Sequence, residues 1–270
     1  MARKILPMLL IAVLLLQTPA AAANVNVYVD GEPLWGAYIA NDTTMVPLRR
    51  FCESISSDCA VSWNSKTRTA YVSSDGLSIT ARCGEEYITA NGRCIYVGKS
   101  SFISQSGVFM LPVRALAKAF GASVRWNNSS RSTVVTSGSG AIESGAEFYA
   151  ADAVYWLARI ISAEAQGESL RGQIAVGNVV MNRVASPDYP NTIYKVIFDR
   201  RGGVQFTPVA NGTIYDEPAA VSVIAAKLVL DGADVAGDCV YFLNEELSTS
   251  FWIIENCSYV MTIGNHSFYV

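Results

Sequence analysis

The sequence predicts an α+β protein of two domains, and three observations carry that prediction. A unit of short alternating strands and a short helix occurs twice in the first half, a Gly/Ser-rich stretch follows, and the texture beyond it turns helical. The repeat sets the first domain. MVPLRRFCESISSDCAVSWNSKTRTAYV (45–72) aligns with MLPVRALAKAFGASVRWNNSSRSTVV (110–135). Both open on Pro-aliphatic-Arg (Pro47-Leu48-Arg49 and Pro112-Val113-Arg114) and continue through a short helix. Both then reach an aliphatic-x-Trp-Asn strand (Trp63-Asn64 and Trp126-Asn127) and a polar turn into a Thr/Val/Tyr strand. Upstream, VNVYVDGEPL matches YITANGRCIYV, each alternating around a turn that contains Gly. The expected unit is strand, turn, strand, helix, strand, turn, strand, with the two copies burying their faces against each other. Trp63 and Trp126 read either as glycan-stacking platforms or as core anchors. Their recurrence at equivalent positions favours the core.

TSGSGAIESG (136–145) has no apolar periodicity, so 137–145 reads as a flexible linker. The expected organisation is a leader over 1–23, a repeat domain over 24–136, the linker, and a helical domain over 146–270. Each half is expected to fold alone.

The leader is MARKILPMLLIAVLLLQTPAAAA, with Arg3 and Lys4, an apolar run from Leu9 to Leu16 and small residues from Ala20 to Ala23. This is the pattern of a secretory signal, and its apolar part is short for a membrane span. A retained anchor is the rival, but stable membrane insertion after cleavage is not expected. The formal charge is −3, and two units more negative without the leader. Such an acidic protein is a poor partner for nucleic acid. The six cysteines all follow the leader, which suits disulfides in an oxidising compartment. Local pairing, Cys52–Cys59, Cys83–Cys94 and Cys239–Cys257, is expected; the middle pair flanks a hairpin-like segment. His266 is the sole histidine, so zinc sites built on paired histidines are excluded and no cofactor is expected.

ADAVYWLARIISAEAQG (151–167) places Leu157, Ile160 and Ile161 on one helical stripe, and the next position of that stripe is Glu164. Gly167 ends the helix. Glu168-Ser169 opens a second one through about Val184, with Leu170, Ile174, Gly177, Met181 and Val184 as its apolar face. At this second helix start a carboxylate on Glu168 is a natural dipole partner. Glu164 has no such explanation. An acid against apolar side chains holds its proton near neutral pH, which suits a general acid; a glutamate satisfied inside a polar pocket is the alternative.

ARIISAEAQGESLRGQIAVGNVVMNRV, YPNTIYKVIFD, GGVQFTPVANGTIYDEP, YFLN and IGNHSFYV, in that order over about residues 150–270, resemble the SleB/CwlJ cell-wall hydrolase family. The resemblance implies a mostly helical, lysozyme-like domain related to lytic transglycosylases, acting on the glycan strands of peptidoglycan in spore cortex or vegetative wall. The catalytic glutamate it implies is Glu164. Glu168, Gln205, Phe206, Tyr241, Asn244, Trp252 and His266 are the implied substrate-binding set, His266 as a supporting hydrogen bond. The chain departs from the family pattern at Asn244-Glu245 and at Cys257-Ser258-Tyr259, where an arginine is missing. Residues 24–136 resemble the copper amine oxidase N-terminal-like domain, a stalk or wall-associated module, although this half has no histidine to hold copper. It implies possible wall attachment. Two other functions compete: a non-catalytic wall- or coat-associated binding protein with a degenerate hydrolase domain, and a Cys/His amidase using His266. Asp199, Asp216 and Glu217 are loop candidates for a second catalytic acid; none stands out, so a one-acid route is expected.

Overall fold

The computed structural model describes residues 23–98, 101–201, 203–248 and 251–270. The expected leader lies outside the described residues apart from Ala23. Among the described residues no helix is long and apolar enough to cross a membrane.

The first repeat contributes β1 (Ala23–Asn24), β2 (Asn26–Val29), β3 (Glu32–Leu34), β4 (Tyr38–Ala40), β5 (Thr43–Pro47), α1 (Leu48–Ile55), β6 (Ala60–Asn64) and β7 (Thr69–Ser74). The second contributes β8 (Leu77–Arg82), β9 (Tyr87–Ala90), β10 (Arg93–Tyr96), β11 (Phe102–Ile103), β12 (Phe109–Pro112), α2 (Val113–Ala119), β13 (Ser123–Asn127) and β14 (Ser132–Thr136). Each unit thus has five strands before its helix where the sequence pattern predicts two.

The repeated motifs do the same work twice. Pro47 and Pro112 end a strand and stand at the N-cap of the following helix, where a φ fixed near −60° suits the chain's change of direction. Arg49 donates to the Val61 carbonyl at 2.8 Å and Arg114 to that of Val124 at 3.1 Å, tying each helix to its next strand. The Oδ1 atoms of Asn64 and Asn127 each accept two backbone N–H groups of the following turn. Asp30-Gly31 and Asn91-Gly92 all have positive φ, the requirement of a tight hairpin turn.

The repeats interlock rather than stack. β5 pairs antiparallel with β12, so the two Pro-aliphatic-Arg motifs begin side by side, in a sheet ordered β1-β4-β5-β12-β11. The last hairpin of each repeat joins the first strands of the other, giving β10-β9-β8-β7-β6 and β13-β14-β2-β3. Phe51, Ile79, Leu111 and Leu116 fill the shared core. Trp63 and Trp126 lie at its margin, each 40% exposed, Trp63 with its ring 5.5 Å from Phe109.

The second domain comprises α3 (Gly145–Phe148), α4 (Ala151–Ala165), α5 (Leu170–Ala185), α6 (Ile193–Ile197), α7 (Thr207–Asn211), α8 (Ala220–Leu230), β15 (Tyr241–Leu243), α9 (Trp252–Asn256), β16 (Tyr259–Ile263) and β17 (His266–Tyr269). Helices α4, α5 and α8 pack on one another around Leu157, Ile160, Ile161, Ile174 and Leu228. The expected α+β, two-domain class is what the structure has, with a three-stranded sheet, β15-β17-β16, added to the helical half. Gly177 marks the helix crossing. A Cβ there would lie 2.8 Å from Val229 Cγ2 and 2.9 Å from Ile161 Cδ1. Gly177→Ala is therefore expected to cost about 1–2 kcal/mol, overpacking outweighing the gain in helix propensity, as urea unfolding would measure.

The domains are joined by a buried ionic cluster. Asp231, at the C-cap of α8, receives Arg93 of β10 at 2.7 and 3.0 Å, Lys118 of α2 at 2.6 Å and the Tyr149 hydroxyl at 2.7 Å. The Arg93 guanidinium stacks 3.3 Å over the Phe148 ring. Two cations are what an acid at a helix C-terminus needs, since the carbonyls there already carry partial negative charge. Helix α8 also covers the free edge of β10, and Cys94 is buried in the helical core. The Gly/Ser stretch follows the surface of the first domain: Ser137 donates to Asp30, Ile142 N–H to the Ala119 carbonyl, and Gly145 N–H to the Asn91 carbonyl.

None of the three expected disulfides is formed. Cys83 follows β8 and Cys94 lies on β10, with β9 between them; Cys239 and Cys257 precede β15 and β16, which flank β17. Next-but-one strands stand about 10 Å apart, beyond the Cα separation of about 7 Å that a disulfide tolerates. The Cys52 and Cys59 thiols do meet and are hydrogen-bonded to each other. Non-reducing peptide mapping is expected to find no cross-link other than Cys52–Cys59; a Cys83–Cys94 link would contradict the strand order.

Candidate active site

Helix α4 ends one residue after Glu164. Gln166 is its C-cap, the Glu168 N–H returns to the Ala165 carbonyl at 2.9 Å, and the Ser169 hydroxyl caps α5 by accepting from Gly172 N–H at 3.3 Å. Ser169 thus takes the capping position, and Glu168 lies outside the first turn in which the sequence placed it. The apolar stripe of α4 is buried through Ile161 and comes out at Glu164 into a cleft of about 1310 Å³. Burial pushes the Glu164 carboxyl up from an ordinary 4.5 to about 7, with no neighbouring charge or hydrogen bond contributing. It holds a proton near neutral pH.

Glu164 and all seven residues of the implied substrate-binding set line this one cleft. Their surroundings differ. The Gln205 amide donates to the carbonyls of Arg201 and Gly203, and Asn244 Oδ1 accepts from the N–H groups of Glu246 and Leu247, so both brace their own loops. Phe206 is buried beneath the surface, its ring 6.4 Å from Phe242. Trp252 is exposed and meets Tyr241 edge-on at 6.0 Å, offering an aromatic wall. His266 is buried against the Phe242 ring at 5.4 Å. Burial pulls its imidazole below the ordinary value, more strongly than nearby Glu168 raises it.

Sequence reasoning missed Arg183, Tyr189 and Arg201, which also line the cleft, Arg201 beside the loop candidate Asp199. Arg183 is a buried guanidinium with rings of Tyr189, Phe206 and Tyr241 at 5.1 to 5.5 Å. Its Nε donates to the Val240 carbonyl at 2.7 Å, and Nη1 has no partner. Burial and a hydrogen bond with Tyr241 push the Tyr189 phenol to about 12. The signal was present: Arg183 is a cation inside an apolar helix, as anomalous there as Glu164 in its own.

The cleft has four carboxyl groups, Glu164, Glu168, Asp188 and Asp199. Asp199 is gripped by Arg201, which holds its carboxyl below the usual range. Glu168 is bonded to Asn265 at 2.8 Å. Asp188 is exposed. Asp216 and Glu217 do not line the cleft, and Glu217 instead bonds Arg159 at 3.0 Å. Burial sets Glu164 apart, raising its carboxyl to about 7. Among the described residues no cluster of His, Cys, Asp or Glu suits a metal ion.

Comparison with known proteins finds a separate match in each half of the chain. Residues 167–269 match the family model described as Cell Wall Hydrolase, a span that opens just after Glu164, and residues 25–135 match the copper amine oxidase N-terminal domain. A spore cortex-lytic enzyme of Bacillus cereus is 36% identical over 120 residues, 44% of this chain and 45% of that protein. The spore cortex-lytic enzyme of Bacillus subtilis strain 168 is 36% identical over 112 residues, 42% of this chain and 35% of that protein. This chain spans less than half the length of these curated relatives. The solved catalytic domain of the germination-specific lytic transglycosylase SleB from Bacillus anthracis is 34% identical, with 48% of this chain and 100% of that one covered and a TM-score of 0.42. The chain is a two-domain protein whose C-terminal domain belongs to the cell wall hydrolase family and whose N-terminal domain is of the copper amine oxidase N-terminal type.

Proposed function

We propose that the protein is an exported enzyme that cuts the glycan strand of peptidoglycan as a lytic transglycosylase, with Glu164 as its single acid and base. The observation that carries this is a carboxyl raised to about 7 by burial alone, facing a cleft in which the other carboxyls are engaged or exposed. The names of the relatives, spore cortex-lytic enzymes, supply the substrate class.

In the first step the Glu164 proton passes to the glycosidic oxygen, and that C–O bond breaks as positive charge develops at the sugar carbon. The carboxylate left behind is now a base in a poorly solvated site. It takes the proton of the sugar's own 6-hydroxyl, whose oxygen closes on the anomeric carbon and leaves an anhydro end, so that no water is consumed. The wall of Tyr241 and Trp252 supplies a surface against which sugar rings stack. Residues 24–136 extend the proposal to wall attachment, a role that retention on insoluble peptidoglycan tests.

Incubating the secreted protein with purified cortex and with vegetative wall, followed by mass spectrometry of the fragments, tests the reaction. Anhydro-muramic ends are expected. Reducing ends throughout mean hydrolysis, with exposed Asp188 the carboxyl left to activate water; no fragments at all refute the activity.

A further inference from the structure

Glu168 lies in the turn between α4 and α5, and its side chain points away from solvent, with 9% of its surface exposed. It lies in a slot between two glycines. A Cβ on Gly172 would come 2.9 Å from the Glu168 Cβ, and one on Gly264 would come 1.8 Å from Oε2. Gly264 has φ +61 and forms the turn between β16 and β17, so its conformation and its missing side chain are both used. The next residue closes the slot. Asn265 Nδ2 donates to Oε1 at 2.8 Å, and Asn265 N–H is within 3.3 Å of Oε2. Behind the side chain, the Glu168 carbonyl accepts from Gln173 at 3.1 Å, and Gln173 in turn accepts from Ser222 of α8 at 2.8 Å. The His266 Nδ1, 3.8 Å from Oε1, is the remaining polar neighbour.

An acid held in this way is not free to attack or protonate a substrate, although it lies four residues from Glu164. Its bonds run from the loop after α4 to the hairpin β16–β17, across 97 residues of sequence. We infer that Glu168 is a positioning residue: gripped by the Gly264-Asn265 turn, it fixes the end of α4 and so the depth at which Glu164 enters the cleft. The inference rests on the proposed role of Glu164 for its kinetic arm and is independent of it for its structural arm.

The test uses the full chain with Glu168→Ala, Gly264→Ala, their combination, and Asn265→Ala, which adds no atoms and serves if Gly264→Ala does not fold. Carboxyl NMR of Glu164 reads the structural arm, with or without activity. In each single variant the Glu164 midpoint is expected to fall from about 7 towards 4.5 as the helix end loosens. On peptidoglycan, kcat is expected to drop by up to about 10²-fold with little change in KM, the scale on which a misplacement of about 1 Å acts. Gly264→Ala is expected to add nothing in the Glu168→Ala background, because both break one clamp. Additive effects overturn the inference. So does a Glu168→Ala variant that raises KM while kcat and the Glu164 midpoint stay unchanged, since that is the behaviour of a direct substrate contact. An inactive wild type whose midpoint still moves in the variants refutes the glycan-cleaving role and leaves the clamp standing.

Discussion

Replacing Glu164 by Gln is expected to abolish turnover while leaving the fold intact. General acid–base groups contribute about 10²–10⁴-fold, and a residue serving as both acid and base belongs at or above the upper end. Gln keeps the size and removes the transferable proton. In the wild type, turnover is expected to fall as pH rises through about 7, because the protonated carboxyl is the working form. Stability moves too. The folded state holds this proton up to about 7 and the unfolded state releases it near 4.5, so the wild type loses stability as pH rises across that window. The Gln variant lacks this loss, and its advantage in thermal unfolding should grow from about pH 4.5 to 7 and then level off. Full activity in Glu164→Gln, measured by fragment release, would remove the residue from the mechanism.

Asp231→Ala is expected to be the most damaging single change to stability, by about 3–5 kcal/mol, the cost of breaking a buried pair from one side. Arg93 is 8% exposed and would be left as a buried cation stacked on Phe148. The pH dependence has the opposite sign from that of Glu164. Burial raises the Asp231 carboxyl, but the bonds from Arg93, Lys118 and Tyr149 outweigh it and hold it below the usual value. Its contribution is therefore present above about 4 and lost as acidification protonates it. Urea unfolding should show a large loss in Asp231→Ala near neutral pH that shrinks under acid. A loss below about 1 kcal/mol would mean that the two domains are held by apolar contact alone.

Much of this was legible in the chain. The repeats were visible because the same local needs recur: a proline at the strand–helix junction, an arginine reaching the next strand, an asparagine closing the turn. Glu164 was visible because helical periodicity made its position anomalous. Pairings between distant segments were not. Periodicity says which face of a strand is buried but not which strand lies beside it, so the exchange of hairpins between repeats left no local trace. The same ignorance misplaced the disulfides, since Cys83 and Cys94 are close in sequence yet a strand apart in the sheet. Arg93 and Asp231, separated by 138 residues, carry no local mark of their pairing. Glu168 read as a helix-start acid because its acceptor role depends on Gly264 and Asn265, near the other end of the domain.

The central claim is that burial alone makes Glu164 a proton donor at neutral pH, and titration of its carboxyl tests this most directly. In ¹³C-glutamate-labelled protein, the resonance that vanishes in Glu164→Gln identifies the residue, and its midpoint can be followed from pH 3 to 9. A midpoint near 7 is the expected result. A midpoint near the ordinary 4.5 would contradict the account, because Glu164 would then be ionised at neutral pH with no proton to give.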